Sequence, residues 1–413
     1  MRLLVVVSMY PHPGHPYSGI FNRNCVEAAQ RQGHELVVLA PRPWVPLFLK
    51  FHPRWQAYSQ IPRFSNQGGI EVHRPDLVQV PRFATTFQRN QGAFLQMRSV
   101  AKKLHRENNF DVVFSFDLGG AGGLAWRLGN YLGVPSTGWA FGLDVRIPAD
   151  STDADELRQM LNKLDLVFYQ SSELRDCAES YLRGDSLDRD RHLLLPHGIP
   201  HLDVPDDDLR AAKRKELGVA DDQILALFLS RVVKGKGVDE LLVAFEHAAK
   251  QNPNLVCIAV GETPGFDDSE ELKRSIQAKG LEERFRLLPA CRPEQVHEFH
   301  AAADIFVFPS KSEGMPNALL EAMALGTPSI VFDIPPIRDI VALGPGLRTV
   351  PCFDADEFGK ALTELAGSAE LRSQLSTAGR AVVNEHFDID QNMARALQHT
   401  SELIATPSTT SSC

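Results

Sequence analysis

The run Leu3-Leu4-Val5-Val6-Val7 is unbroken by any polar residue. It suits a strand buried on both faces, which is the environment of a parallel sheet. Parallel strands need a crossover between them, and the next residues supply one. A turn-rich loop, Ser8 to Ile20, leads to a helical stretch from Phe21 to Gln32 that Gly33 closes. Glu35–Leu39 then reads as the second strand. This strand–loop–helix–strand order is the signature of a doubly wound α/β fold.

The alternation continues through strands at Val112–Phe116, Pro135–Trp139, Leu166–Tyr169 and Leu193–Leu195, with a helix at Leu124–Leu132. From His197 to Asp208 prolines and aspartates dominate, which reads as a linker. The pattern then restarts, with strands at Ile224–Leu229, Val256–Val260, Phe285–Leu288, Ile305–Phe308, Ser329–Phe332 and Leu347–Val350. Helices fall between them, at Asp239–Gln251 and Pro293–Ala302 among others. A length of 413 residues accommodates two such domains. The expected division is residues 1–199, a linker at 200–210, and 211–387. Two complete halves suggest a ligand cleft between them.

Composition excludes other classes. Lys and Arg number 43 against 52 Asp and Glu, a formal net charge of −9, which argues against a nucleic-acid partner. The six cysteines are scattered with no CxxC pair, so neither a metal cluster nor a disulfide framework is expected, and a reducing, cytoplasmic setting is the simplest reading. No apolar run approaches the roughly 20 residues of a membrane span. The Ser/Thr-rich tail, residues 406–413, is expected to be disordered.

Two stretches carry chemistry. The first is PSKSEGMPNALLEAMALGTP, Pro309 to Pro328. A strand ends at Phe308, Glu313-Gly314 sits in a loop, Pro316 suits a first helical turn, and Gly326 stops the helix. Free backbone N–H groups near Asn317–Leu319 make an anion site. Glu313 and Glu321 flank that anion, and carboxylates accept well from sugar hydroxyls. A phosphate site between two carboxylates is what a nucleotide diphosphate-sugar requires. The second stretch is Arg231-Val232-Val233-Lys234-Gly235-Lys236-Gly237, directly after a strand. Its cations can clamp a diphosphate through charge-assisted hydrogen bonds.

With Glu313-x7-Glu321 set in EGMPNALLEAMALGTP, the chain resembles the retaining glycosyltransferases of family 4, which have the GT-B fold. The resemblance covers nearly the whole chain and is strongest over residues 224–333. It implies two Rossmann-like domains facing across a cleft, with the donor in the C-terminal one. It implies that Glu313 contacts the donor sugar, Glu321 the ribose hydroxyls, and Arg231 and Lys236 the diphosphate, with no metal or other cofactor. Gly314, Met315, Pro316, Asn317 and Ala318 complete the donor loop. Ser18-Gly19 stands where similar proteins carry a Gly-Gly loop that reaches the donor, so Gly19 is a partial match. It also implies that the last helix, residues 388–405, crosses back to the N-terminal domain. The implied reaction moves a hexosyl group to a hydroxyl acceptor, a glycan or a lipid-linked sugar, with retention.

Two departures stand beside the match. Phe141 occupies the place of a family-typical histidine, in Trp139-Ala140-Phe141-Gly142. Asp117 and Asp144 are then candidates for acceptor or sugar contacts, since a carboxylate within reach can act as a base. Gly120-x-Gly122-x-x-Ala125 resembles a dinucleotide fingerprint but follows an internal strand, and reads better as a close-packed turn. Residues 41–55, PRPWVPLFLKFHPRW, mix aromatics with cations as a membrane interface does; an acceptor-side loop packed on its own domain is the alternative. An epimerase or phosphorylase on the same plan, or a non-catalytic nucleotide-sugar binder, remain as rivals.

Overall fold

A computed structural model describes residues 1–49, 52–78, 86–142, 144–146, 152–182, 186–262 and 266–405. The tail at 406–413, and Lys50 and Phe51 of the 41–55 segment, lie outside the described residues. The chain divides into two compact units, Met1–His197 with Ile389–Cys413, and Gly198–Asp388.

The first unit is built on an eight-stranded sheet. Its order is His192–Leu194, Leu166–Tyr169, Ser136–Ala140, Val112–Ser115, Arg2–Val6, Glu35–Leu39, Ile70–His73 and Phe64–Gln67. The last strand pairs antiparallel, in a hairpin the sequence reading did not mark; the other neighbours are parallel. The first apolar run explains the layering. Leu3, Val5 and Val7 point to one face, where helices Ile20–Arg31 and Ile389–Ala405 cover them through Val26, Ala29, Met393 and Leu397. Leu4 and Val6 point to the other, against Met97, Leu104, Leu124 and Leu128. Alternate side chains on a strand face opposite ways, so a run apolar at every position needs helices on both sides.

The second unit carries a six-stranded parallel sheet in the order Phe285–Leu288, Leu255–Val260, Ile224–Leu229, Ile305–Phe308, Ser329–Phe332, Leu347–Val350. The expected linker differs at its end. Asp206 caps a helix, Asp207–Leu217, by accepting from the Leu209 amide at 2.8 Å. The acidic run is thus a helix start, where negative charge meets free N–H groups. Arg210 and Arg214 of that helix bind Asp304, which also accepts from the Leu225 amide.

Among the parallel strands of each sheet the chain order reverses once. The reversal lies between Arg2–Val6 and Val112–Ser115 in the first, and between Ile224–Leu229 and Ile305–Phe308 in the second. The loops at the carboxyl ends of such neighbouring strands diverge and leave room for a ligand.

Candidate active site

Both motif stretches of the second unit fall at its switch point. Residues 230–237 leave strand Ile224–Leu229, and residues 309–316 leave strand Ile305–Phe308. Gly237 joins the two loops. Its φ is +75°, and a Cβ there would lie 1.9 Å from the Pro309 carbonyl oxygen. Only glycine allows that approach. The Lys311 amide donates to the Gly235 carbonyl at 3.3 Å, and the Lys311 ammonium pairs with Glu240 at 2.7 Å.

The contact between loops ends in chemistry. Lys236 Nζ donates to Glu313 Oε1 at 2.5 Å, and Ser310 Oγ donates to the same oxygen at 2.6 Å. Two residues assigned separately to diphosphate and sugar are therefore one ion pair. Arg231 is exposed and makes no ion pair among the described residues.

Helix Asn317–Ala324 begins beside this pair. Pro316 is its N-cap rather than a residue of its first turn, and no side chain caps the helix. The Leu319 amide donates to the Pro316 carbonyl at 3.0 Å, so the expected anion site narrows from Asn317–Leu319 to the amides of Asn317 and Ala318, which make no hydrogen bond among the described residues. The buried Oδ1 of Asn317 also has no partner. Met315 and Ala318 pack on the core and hold the turn down, and Gly314 links Glu313 to it. Glu321 comes one turn later. Burial alone raises its carboxyl pKa to about 7. Lys236 and Glu313 thus meet just ahead of the helix that carries Asn317 and Glu321, while Arg231 lies on the same loop as Lys236.

The remaining predicted residues lie in the first unit. Gly19 caps helix Ile20–Arg31 with φ of +71°, and a Cβ would meet the Met9 carbonyl oxygen at 2.5 Å. Backbone geometry already demands glycine there. Asp117 accepts from the Ser8 amide at 3.0 Å, the Ser8 hydroxyl at 2.9 Å and the Gly120 amide at 2.7 Å. Asp144 accepts from the amides of Leu118, Phe141 and Gly142. Burial raises both carboxyl pKa values, against these hydrogen bonds. The structure makes both aspartates loop anchors, with their oxygens engaged by backbone and Ser8. Gly120 is the close-packed turn expected, since a Cβ would come within 2.4 Å of Ser8 Cβ. Phe141 meets Phe21 and His197 edge to face, at 5.3 and 5.0 Å between ring centroids. Ser310 was not foreseen, because a lone serine carries no signal until the loop folds it onto Glu313.

The family model described as glycosyl transferases group 1 matches residues 210–382. The protein TuaC of Bacillus subtilis, named for teichuronic acid biosynthesis, is 26% identical over 97% of this chain and 97% of its own. A D-inositol 3-phosphate glycosyltransferase of Geodermatophilus obscurus is 30% identical over 50% of this chain and 46% of its own. Among solved structures, Anabaena HepE in complex with UDP and glucose has a TM-score of 0.71 at 17% identity, over 97% of this chain and all (100%) of its own. Sucrose-phosphate synthase from Thermosynechococcus elongatus has a TM-score of 0.71 at 19% identity, over 98% and 100%. These two share the GT-B fold with this chain.

Proposed function

From the match of residues 210–382 to the glycosyl transferases group 1 family, we propose that the chain is a retaining hexosyltransferase whose nucleotide diphosphate-sugar binds the second unit. The observation that carries the donor site is the Lys236–Glu313 pair set beside an uncapped helix start. An ammonium has three N–H donors, so Lys236 can keep Glu313 and still meet a phosphate oxygen. Arg231 adds a second cation, and the free N–H groups of Asn317 and Ala318 a third source of positive potential. Such donors stabilise charge as it develops on the departing diphosphate. The same two cations can supply the counter-charge without a divalent ion, so transfer is expected to survive EDTA. Glu313 would accept from the sugar and Glu321 from the ribose. With Asp117 and Asp144 engaged in loops, the departing phosphate itself is the acceptor of the incoming hydroxyl proton, which suits transfer with retention. The UDP in HepE makes a uridine donor the first to test. The acceptor would be a glycan or lipid-linked sugar, as polysaccharide synthesis requires.

The test is transfer from radiolabelled UDP-, GDP- and ADP-sugars to a panel of sugar and lipid-linked acceptors. Transfer with an α-linked product from an α-linked donor supports the reading. Conversion of the donor without acceptor, or binding of UDP with no transfer to any acceptor, would overturn it.

We further propose peripheral contact with a membrane. No helix of the described residues is long and apolar enough to cross one. Yet Trp44 is 48% exposed and Leu47 and Phe48 are each 77% exposed, within one short segment. Aromatic and aliphatic side chains shown to water suit a bilayer interface. Co-sedimentation with anionic liposomes, lost on changing Trp44 and Phe48 to Ser, is the expected result; no binding by the unaltered protein ends the idea.

A further inference from the structure

The first unit holds a cavity of about 500 Å³ that the donor reading does not use. Met9 and Tyr10, Pro41 and Arg42, and Arg74 line it, so it opens beyond the carboxyl ends of strands Arg2–Val6, Glu35–Leu39 and Ile70–His73. Its size is that of a small-molecule site. Its lining is one-sided in charge. Arg42 and Arg74 contribute its fixed charges, and no Asp or Glu lines it among the described residues.

Arg74 is the anomaly. It is 2% exposed, yet its terminal nitrogens donate only to neutral acceptors, Ser65 Oγ and the Pro11 carbonyl, each at 2.8 Å. Its buried Nε–H has no partner among the described residues. The acids nearby are occupied elsewhere: Asp76 pairs with Arg42 and Arg63, and Glu27 with Arg23. Tyr10 is 3% exposed, and its hydroxyl also has no partner among the described residues. A buried cation without a counter-ion is costly unless a bound anion completes it. Both residues line the cavity, so its wall carries two unsatisfied buried donors that a bound anion could engage. Met9, Tyr58 and Ile61 add an apolar wall for the face of a sugar ring.

We propose that this cavity is an anion subsite for the phosphate or carboxylate of an acidic sugar acceptor, held by Arg74 and the Tyr10 hydroxyl. That the anion belongs to the acceptor rests on the transferase reading; the anion subsite does not. The test separates the two. Full-length protein carrying Arg231→Ala and Lys236→Ala, which silence the diphosphate site, is titrated calorimetrically with inorganic phosphate, glucuronate and glucose. Phosphate or glucuronate is expected to bind and glucose not to, and the stronger anion identifies the group. Tyr10→Phe removes only an unpartnered hydroxyl, so the fold should hold, and binding should weaken roughly tenfold. Arg74→Gln should abolish binding, with a melting curve confirming that the variant is folded. Binding of neither anion, or binding unchanged by Tyr10→Phe, overturns the subsite. In the unsubstituted enzyme, acidic acceptors should show a lower KM than neutral analogues, and Tyr10→Phe should raise that KM while kcat changes little. Anion binding without any preference for acidic acceptors overturns the acceptor assignment alone. Anion binding with no transfer from any donor overturns the transferase reading and leaves the subsite standing.

Discussion

Burial holds the Glu321 carboxyl neutral up to about pH 7, whereas an unfolded glutamate ionises near its ordinary value of 4.5. Between those values the native state keeps a proton that the unfolded state has lost, so this residue makes stability fall as pH rises. Below 4.5 it contributes nothing, and above 7 its penalty is complete. Glu321→Gln should therefore stabilise the ligand-free protein above pH 7, by on the order of 2–3 kcal/mol, and leave it unchanged at pH 4. Melting temperatures across that range check the sign. A ribose hydroxyl donating to the carboxylate favours its charged form. UDP binding near pH 7 should then release a proton, visible as a dependence of calorimetric heat on the buffer, and Glu321→Gln should remove that dependence. Lys236→Ala should cost about 2–4 kcal/mol in kcat/KM for transfer, because a buried diphosphate loses a counter-charge. A near-normal rate would remove Lys236 from the site. The spaced glutamates and the basic loop could be read from the sequence because each lies in a local pattern. The Lys236–Glu313 bond could not, since it spans 77 positions and forms only when two strands become neighbours. The same holds for Asp117, whose partner Ser8 is 109 positions away, and a turn aspartate and a catalytic one look alike until that partner is known.

At the scale of elements, helix Val238–Gln251 and strand Ile305–Phe308 place the two loops proposed to hold the donor. They meet at Gly237, where positive φ and contact with Pro309 coincide. Gly237→Ala should push the loops apart, since the backbone carbonyl of Pro309 cannot yield as a flexible side chain would. The expected result is weaker UDP binding by at least tenfold together with a lower melting temperature. Wild-type affinity would show that loop contact is not what aligns Lys236 with Glu313. Strands that read as continuous apolar runs were legible to within a residue or so, because burial on both faces leaves little choice of residue. The helix Asp207–Leu217 was less legible. Its aspartates serve equally as linker or as helix start, and what decides is the grip of Arg210 and Arg214 on Asp304, nearly a hundred residues on.

The chain crosses between its units twice, once at His197 and once at Asp388, so the second unit is one continuous piece and the first is not. Gly198–Asp388 contains its whole sheet and its own core. Expressed alone, that fragment should fold cooperatively and bind UDP within a few-fold of the full chain, without transferring sugar. Residues 1–197 should behave otherwise. Without helix Ile389–Ala405, the face made by Leu3, Val5, Val7 and Val26 loses its cover of Ile389, Met393, Ala396 and Leu397. Exposing several fully buried apolar side chains costs about 1.5–3 kcal/mol for each larger one. That sum is comparable with the roughly 5–15 kcal/mol net stability of a typical domain. The Arg31–Asp390 ion pair, at 2.8 Å, is lost as well. The 1–197 fragment should aggregate or melt without cooperativity, and adding residues 389–405, fused or as a separate peptide, should restore a soluble fold. If 1–197 melts as sharply and as high without that helix as with it, the terminal helix is not the missing wall of the first core.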